Sequence, residues 1–206
     1  MQHHRRLSAI MFTDIEGYTA LMQNDEKNAI KIRTKHREVF KIFTDKHKGE
    51  LIHYFGDGTL SIFKSSVEAI ECAIEMQTEF QKEPSIPVRI GIHVGDIIKT
   101  ESDIIGDAVN VASRIETLAV PGSILISDEV QDQIKNQKSI KTKFVGDFDF
   151  KNVAHSMSIF AVANKGIVFP KLSDIGNNIT ISYSVFSNST FGFITIRTHG
   201  LVLIRC

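Results

Sequence analysis

The chain has 206 residues, 42% hydrophobic and 23% charged, which suits one globular domain with a small addition. Its formal net charge is zero, which excludes the basic surface typical of a protein that binds nucleic acid. Two cysteines, Cys72 and Cys206, are too few for a disulfide framework and fit a reducing, cytoplasmic location. The apolar run at 7–12 is too short for a secretory signal, and the uncharged stretch 175–196 is only about half apolar, so we expect no membrane span.

The first third of the chain predicts a strand, a long helix and a hairpin. The apolar run at 7–13 predicts a buried strand. Asn24-Asp25-Glu26 then begins a helix whose apolar positions keep helical spacing to about Lys46. Gly56-Asp57-Gly58 lies between two strand-like runs, which is typical of a tight β-hairpin turn.

Later patterns extend this order of elements. A capping box at 65–68 begins a second helix, alternating apolar residues at 88–95 predict a half-buried strand, and Asp107 begins a helix that ends before Pro121. Further strands are predicted at 124–126, 141–145 and 157–162. The order β-α-β-β-α-β, followed by α-β-α-β-β, predicts an α+β fold with a ferredoxin-like split βαβ sheet and additional C-terminal elements.

Residues 165–206 differ in composition from residues 1–164. They hold five charged residues, and polar Ser, Asn and Thr are mixed with Phe and Ile. We therefore divide the chain into a main domain at 1–164 and a C-terminal tail at 165–206. Two interpretations of the tail stay open: an extra β-hairpin, or a remnant left by truncation of a longer protein.

Two carboxylates stand where strands end or turn. Asp14 follows the first strand and Asp57 sits in the hairpin turn, and in a split βαβ sheet these elements are neighbours. Such a pair could hold divalent metal ions, which prefer carboxylate and phosphate oxygens. Either aspartate alone is also common in turns. Gly17, Tyr18 and Thr19 open a short helix whose free N–H groups would suit a triphosphate.

An amide and a guanidinium share one face of the helix that begins at Asp107. Asn110 and Arg114 are four residues apart and can act on one ligand, and arginine matches phosphate oxygens well. The alternative is a surface arginine paired with Glu116 or another carboxylate. The remaining histidines show no metal-ligand spacing, so we interpret them as solvated or structural.

Four motifs, in order, resemble those of the class III adenylate and guanylate cyclases. Phe12-Thr13-Asp14-Ile15-Glu16-Gly17-Tyr18-Thr19 and Phe55-Gly56-Asp57-Gly58 look like the two metal motifs of that family. Residues 89–95 look like the strand before the dimerisation arm, and residues 106–114 like the transition-state helix. The resemblance covers about residues 7–163, and the short connection from 95 to 106 implies a small dimerisation arm.

The resemblance implies a metal-dependent enzyme that works as a homodimer. Asp14 and Asp57, with the Ile15 carbonyl, would hold two Mg²⁺ or Mn²⁺ ions. Asn110 would orient the ribose, and Arg114 would stabilise the pentavalent phosphorus. In this family the metal residues and the Asn/Arg pair of one site come from different chains.

The resemblance also assigns residues to the triphosphate and the base. Lys151 would bind the triphosphate, and Asp103 would read the base. His53 departs from the pattern, because adenylate cyclases of this family usually carry Lys there and guanylate cyclases Glu. A neutral imidazole could donate a hydrogen bond to the base, or could simply be tolerated.

These assignments lead to a function with several alternatives. We expect conversion of ATP to 3′,5′-cyclic AMP and pyrophosphate, because Asp103 is present and no Glu stands at position 53. One alternative is a guanylate or relaxed-specificity cyclase that takes GTP. Another is a catalytically silent module for dimerisation or nucleotide sensing, and a third, a different palm-type enzyme, is disfavoured by the Asn110–Arg114 helix.

Overall fold

The computed structural model describes residues 4–100, 103–150, 153, 155–171, 173–175, 180–183, 193–198 and 200–205. The first part of the chain forms β1 (His4–Ile15), α1 (Tyr18–Asn24), α2 (Glu26–Lys46), β2 (Glu50–Phe55), β3 (Gly58–Phe63) and α3 (Ser66–Phe80). The next part forms β4 (Val88–Lys99), β5 (Ile104–Ile105), α4 (Asp107–Leu118), β6 (Ile124–Ser127), α5 (Asp128–Ile134), β7 (Thr142–Phe148) and β8 (Met157–Val162). The last three strands are β9 (Thr180–Tyr183), β10 (Phe193–Thr198) and β11 (Gly200–Arg205).

One large sheet organises the molecule, in the order β2-β3-β1-β4-β6-β8-β7, with β5 paired to β4. The central strand β1 is antiparallel to both of its neighbours, and the pair β4 and β6 is parallel. The segment β2-β3-β1-β4 has the strand order of a split βαβ unit, so the predicted α+β fold is confirmed. Strands β9, β10 and β11 pair into a separate antiparallel sheet, and the division at residue 164 stays a prediction.

The helices begin where the sequence supplies caps. Asp25 accepts a hydrogen bond from the Asn28 N–H at the start of α2, and Ser65 accepts one from the Val67 N–H at the start of α3. Helices α2, α3 and α5 bury their apolar sides against one face of the sheet. Helix α4 covers the other face, so the sheet is enclosed between two helical layers.

Strand β4 differs from the prediction, because both of its faces are buried. The alternating residues that were expected to face solvent lie under α4. At Gly91 a β-carbon would come within 2.2 Å of the Glu116 backbone nitrogen, so only glycine lets the helix approach this closely. His93, on the same face, is 6% exposed, and its Nδ1 lies 2.8 Å from Ser127 Oγ.

Candidate active site

The hairpin between β2 and β3 brings Asp57 next to Asp14. Backbone pairing between β1 and β3 ends at the pair Thr13–Thr59, and the two aspartates lie just beyond it. A β-carbon on Gly58 would be 3.0 Å from the Thr13 carbonyl oxygen and 3.5 Å from Asp14 Oδ1, so the turn rests directly on the end of β1. The expected proximity of the two carboxylates is present in the structure.

Electrostatics at this point favour a bound cation. Burial raises the pKa of Asp57, and the neighbouring Asp14 carboxylate raises it further, because two negative charges this close repel. Hard divalent ions bind such oxygen pairs and complete their shell with backbone oxygens, water and substrate phosphates. The Ile15 side chain is buried, so only its carbonyl could take part. Across the described ranges, no three His, Cys, Asp or Glu side chains form a complete metal cluster.

Arg89 is a third member of the site that motif comparison did not single out. Its Nη2 lies 2.6 Å from Asp14 Oδ2, and its Nε lies 3.2 Å from Glu16 Oε2 and 3.1 Å from Glu116 Oε1. The side chain is 17% exposed. The sequence signal that could have identified Arg89 is its charge, because the other alternating positions of this strand, Gly91, His93 and Gly95, are glycine or histidine.

Glu116 reaches this cluster from α4. Burial raises the pKa of Glu116 to about 7, even though the adjacent Arg89 guanidinium lowers it. Its partner is Arg89 and not Arg114, so the alternative that paired Arg114 with Glu116 is wrong. Within the part of the chain that the structure describes, Arg114 makes no ion pair.

The two α4 residues assigned to catalysis lie on the outer side of that helix. Asn110 is exposed and Arg114 half-buried, whereas Ala112 and Glu116 are buried towards the sheet. At about 100° per residue, the side chains of Arg114 and Glu116 leave the helix about 160° apart. Arg114 therefore points away from the Asp14 carboxylate of its own chain.

The phosphate and base positions are only partly assembled. Gly17 is exposed and precedes α1, whose first intrahelical bond runs from the Leu21 N–H to the Gly17 carbonyl, leaving the N–H groups of residues 18–20 without an intrahelical acceptor. The Tyr18 ring is buried in the core, so only its backbone is available there, and Thr19 is exposed. Lys151, assigned to the triphosphate, lies outside the described residues.

The two base-reading candidates are both exposed. The His53 ring packs 4.5 Å from the Phe55 ring, centroid to centroid, and Phe55 stacks on Phe12 at 6.2 Å. Asp103 accepts a hydrogen bond from the Ile104 N–H with one carboxylate oxygen.

Comparisons with known proteins agree with this geometry. The adenylate and guanylate cyclase catalytic domain family matches residues 1–164. “Putative adenylate cyclase 3” of Rhizobium meliloti (strain 1021) is 35% identical over 169 residues, which is 78% of this chain but only 29% of that protein. None of the helices in the described part of the chain is both long and apolar enough to cross a membrane.

Solved structures give the same result. An adenylate/guanylate cyclase/hydrolase from Silicibacter pomeroyi is 33% identical with a TM-score of 0.69, covering 79% of this chain and 99% of that one. The adenylyl cyclase CyaB from P. aeruginosa, 23% identical with a TM-score of 0.71, covers 82% of this chain and 100% of its own, which shows a shared fold. The chain belongs to the class III adenylate/guanylate cyclase catalytic domains.

Proposed function

We propose that the chain converts ATP to 3′,5′-cyclic AMP and pyrophosphate, as a homodimer with active sites shared between chains. The observation that carries the proposal is the meeting of Asp14 and Asp57 at the end of β1, where burial and mutual repulsion favour a cation. Similarity to cyclases from other organisms supports the reaction class. The choice of nucleotide rests on His53 and Asp103.

The proposed reaction is an in-line substitution at phosphorus. The ribose 3′-hydroxyl loses its proton and forms a bond to the α-phosphorus, while the bond from that phosphorus to the bridging oxygen breaks and pyrophosphate leaves. Two divalent ions, held by Asp14, Asp57 and the Ile15 carbonyl, would lower the pKa of that hydroxyl and neutralise the triphosphate. Arg89, whose Nη2 lies 2.6 Å from Asp14 Oδ2, adds a positive charge at the same place.

The direction of Asn110 and Arg114 supports the sharing of sites between chains. Both side chains leave α4 away from Asp14 and Asp57 of their own chain. In the proposed dimer they therefore act on the nucleotide held by the carboxylates of the second chain. A guanidinium delivered in this way would stabilise the negative charge that develops on the phosphoryl oxygens. Within the described residues Arg114 makes no ion pair, which keeps it available for this contact.

Exposed apolar side chains support a second copy as the partner. Leu7 and Ile105 are each 60% exposed, and Phe55, two residues before Asp57, is 50% exposed. Large exposed apolar side chains are typical of protein interfaces. A homodimer would cover them while completing the site.

Preference for ATP rests on the base-reading pair. Asp103 carries a carboxylate that can accept from the adenine amino group, and its exposure leaves it accessible. Glutamate, which would accept from guanine N1–H, is absent from position 53. The imidazole of His53 can donate one hydrogen bond in its neutral form.

Product identification tests the proposal. The purified chain is incubated with ATP or GTP and Mn²⁺, and the products are separated and identified by mass spectrometry, with Asp57→Ala prepared identically as the control. We expect cyclic AMP and pyrophosphate from the unsubstituted chain only. Cyclic GTP as the main product would overturn the substrate assignment, and nucleotide binding without any product would identify a silent module.

A further inference from the structure

A buried polar chain lies directly beneath the two aspartates. Thr13 Oγ1 is 2.5 Å from Thr59 Oγ1 and 3.1 Å from Nε2 of His36, which belongs to α2. All three side chains are almost fully buried, and His36 is 1% exposed. The hydroxyl pair joins β1 to β3 at the last paired position of the two strands.

We propose that His36 is a positioning residue, which through Thr13 and Thr59 sets the separation of the Asp14 and Asp57 carboxylates. The inference rests on the proposed metal-dependent function, because it explains what holds the two proposed metal ligands at their separation. Asp14 directly follows Thr13, and Asp57 is two residues before Thr59. A change in the hydroxyl bridge is therefore transmitted to both carboxylates through very short lengths of chain.

The carboxylates need such a tie because they repel each other. A β-carbon on Gly58, the residue after Asp57, would lie 3.5 Å from Asp14 Oδ1, and like charges this close repel each other. Backbone pairing between the strands stops at Thr13 and Thr59, so beyond this pair no ladder hydrogen bond holds β1 against β3. The hydroxyl bridge lies at this last paired position, directly before the two carboxylates, and it opposes their separation.

The imidazole is fixed in place by its aromatic surroundings. Its ring stacks on Phe80 at 5.4 Å and lies 6.2 Å from Phe40. Burial lowers the pKa of His36 to about 4, with a smaller contribution from Arg37, so the ring is neutral. Nδ1 has no hydrogen-bond partner among the described residues. A neutral imidazole carries one proton, and placing it on Nε2 avoids a buried N–H without an acceptor at Nδ1. In this tautomer His36 donates a hydrogen bond to Thr13.

Helix α2 also holds the outer side of the same turn. Arg37 donates from Nη2 to the Gly56 carbonyl at 3.3 Å, and its guanidinium lies 4.6 Å from the centre of the Tyr54 ring. Consecutive residues of one helix thus contact the end of β1 beneath the aspartates and the outside of the hairpin. Both contacts restrict the position of Asp57.

The test compares Thr59→Val and His36→Phe with Ser61→Ala in the full chain. Thr59→Val and His36→Phe each remove one link of the bridge and keep a similar shape. Ser61 is a matched control, because it lies on the same strand at 0% exposure and its hydroxyl has no partner among the described residues. Mn²⁺ alone is titrated without nucleotide, and binding is followed by electron paramagnetic resonance at a temperature where circular dichroism shows every variant folded.

We expect Thr59→Val and His36→Phe each to weaken Mn²⁺ binding about five- to tenfold, the effect of one lost hydrogen bond. Ser61→Ala should bind Mn²⁺ like the unsubstituted chain. His36→Gln, whose amide nitrogen can reach the position of Nε2, should recover most of the loss. Equal Mn²⁺ affinity in Thr59→Val, Ser61→Ala and the unsubstituted chain would overturn the positioning role and leave only a contribution to folding.

The wild-type result separates this inference from the proposed function. Mn²⁺ binding without cyclic nucleotide formation would overturn the cyclase activity, while the variants would still test the positioning role. Failure of the unsubstituted chain to bind Mn²⁺ would overturn both. Cyclase activity combined with unchanged Mn²⁺ affinity in all variants would overturn the positioning role alone.

Discussion

Arg89 Nη2 lies 2.6 Å from Asp14 Oδ2, and the two residues face each other in the register of β4 and β1. The same guanidinium contacts Glu116, which α4 brings down onto the strand through the space that Gly91 leaves open. One cation therefore serves a carboxylate of the proposed metal site and a buried carboxylate of the opposite helix. This arrangement ties α4 to the end of β1.

Removing that cation should destabilise the fold. We expect Arg89→Met to lower the free energy of unfolding by about 1 to 3 kcal/mol, because the buried Glu116 carboxyl then has to stay charged without a partner or take up a proton. Arg89→Met combined with Glu116→Gln should recover a substantial part, since the uncompensated charge is gone. Urea denaturation of the three proteins at pH 7 measures this, and equal stability of the single and double variants would contradict the ion-pair explanation.

Substitution of Asp57 should abolish activity without lowering stability, in contrast to Arg89→Met. We expect Asp57→Ala or Asp14→Ala to reduce turnover at least about a hundredfold, because each removes an anionic metal ligand. Asp57→Ala should be as stable as the unsubstituted chain or slightly more stable, because its charged form is disfavoured in the fold. Activity in saturating Mn²⁺ and urea denaturation measure both effects, and substantial turnover by either variant would refute the metal assignment.

The sequence was sufficient for the elements that depend on short-range patterns. Alternation, caps and the Gly56-Asp57-Gly58 turn predicted the strand order of the split βαβ unit and the proximity of Asp14 to Asp57. The sequence predicted helix α4 but not its position on the second face of the sheet. Burial of β4 on both faces and the contact between Arg89 and Glu116 depend on how α4 packs, and no local pattern encodes that packing.

The same reason explains the histidines. His36 and His93 carry no distinctive spacing, and only the fold shows that both are enclosed and hydrogen-bonded to hydroxyl groups. Long-range contacts between residues 23 and 34 positions apart create those environments. A sequence pattern read over one or two turns of helix cannot contain this information.

His93 should make stability depend on pH. Burial lowers the pKa of His93 to about 4, although nearby Asp128 opposes this, and Glu129 Oε2 lies 3.5 Å away. In the unfolded chain this histidine becomes protonated below about pH 6.5, whereas in the folded chain it stays neutral down to about pH 4. Protonation therefore favours the unfolded chain, and the stability that is present above about pH 6.5 is lost as the pH falls towards about 4. Between pH 7 and pH 5 the loss should be about 2 kcal/mol.

His93→Asn isolates this effect, since the amide can still reach Ser127 Oγ. We expect the variant to lose about 2 kcal/mol less than the unsubstituted chain between pH 7 and pH 5, as measured by urea denaturation. His155→Asn, at an exposed position, is the matched control. Parallel pH profiles for His93→Asn and the unsubstituted chain would show that the imidazole is not kept neutral by burial.

Shared active sites predict complementation between inactive variants. Asp57→Ala and Arg114→Ala should each be inactive alone, but a heterodimer of the two can assemble one intact site. With random pairing about half of the dimers are heterodimers with one of two sites intact, so roughly a quarter of wild-type activity should return. The control is a mixture of Asp57→Ala with Asp14→Ala, which should restore no activity because neither chain then carries both metal ligands. Absence of rescue despite demonstrated subunit exchange would place each site within one chain.

Base selection is the last property that the site should reveal. We expect ATP to be preferred over GTP, and His53→Lys to raise the ratio of kcat/KM for the two nucleotides about five- to tenfold, because a charge-assisted hydrogen bond replaces an ordinary one. His53→Glu with Asp103→Cys should shift the preference towards GTP, since Glu can accept from guanine N1–H and the thiol no longer requires a donor. His155→Lys adds the same charge at another exposed position and should leave the ratio unchanged. The contact between His53 and Phe55 supplies the competing outcome: an imidazole that only packs on this ring would leave the ratio unaffected by His53→Lys, and this result would remove His53 from the base site.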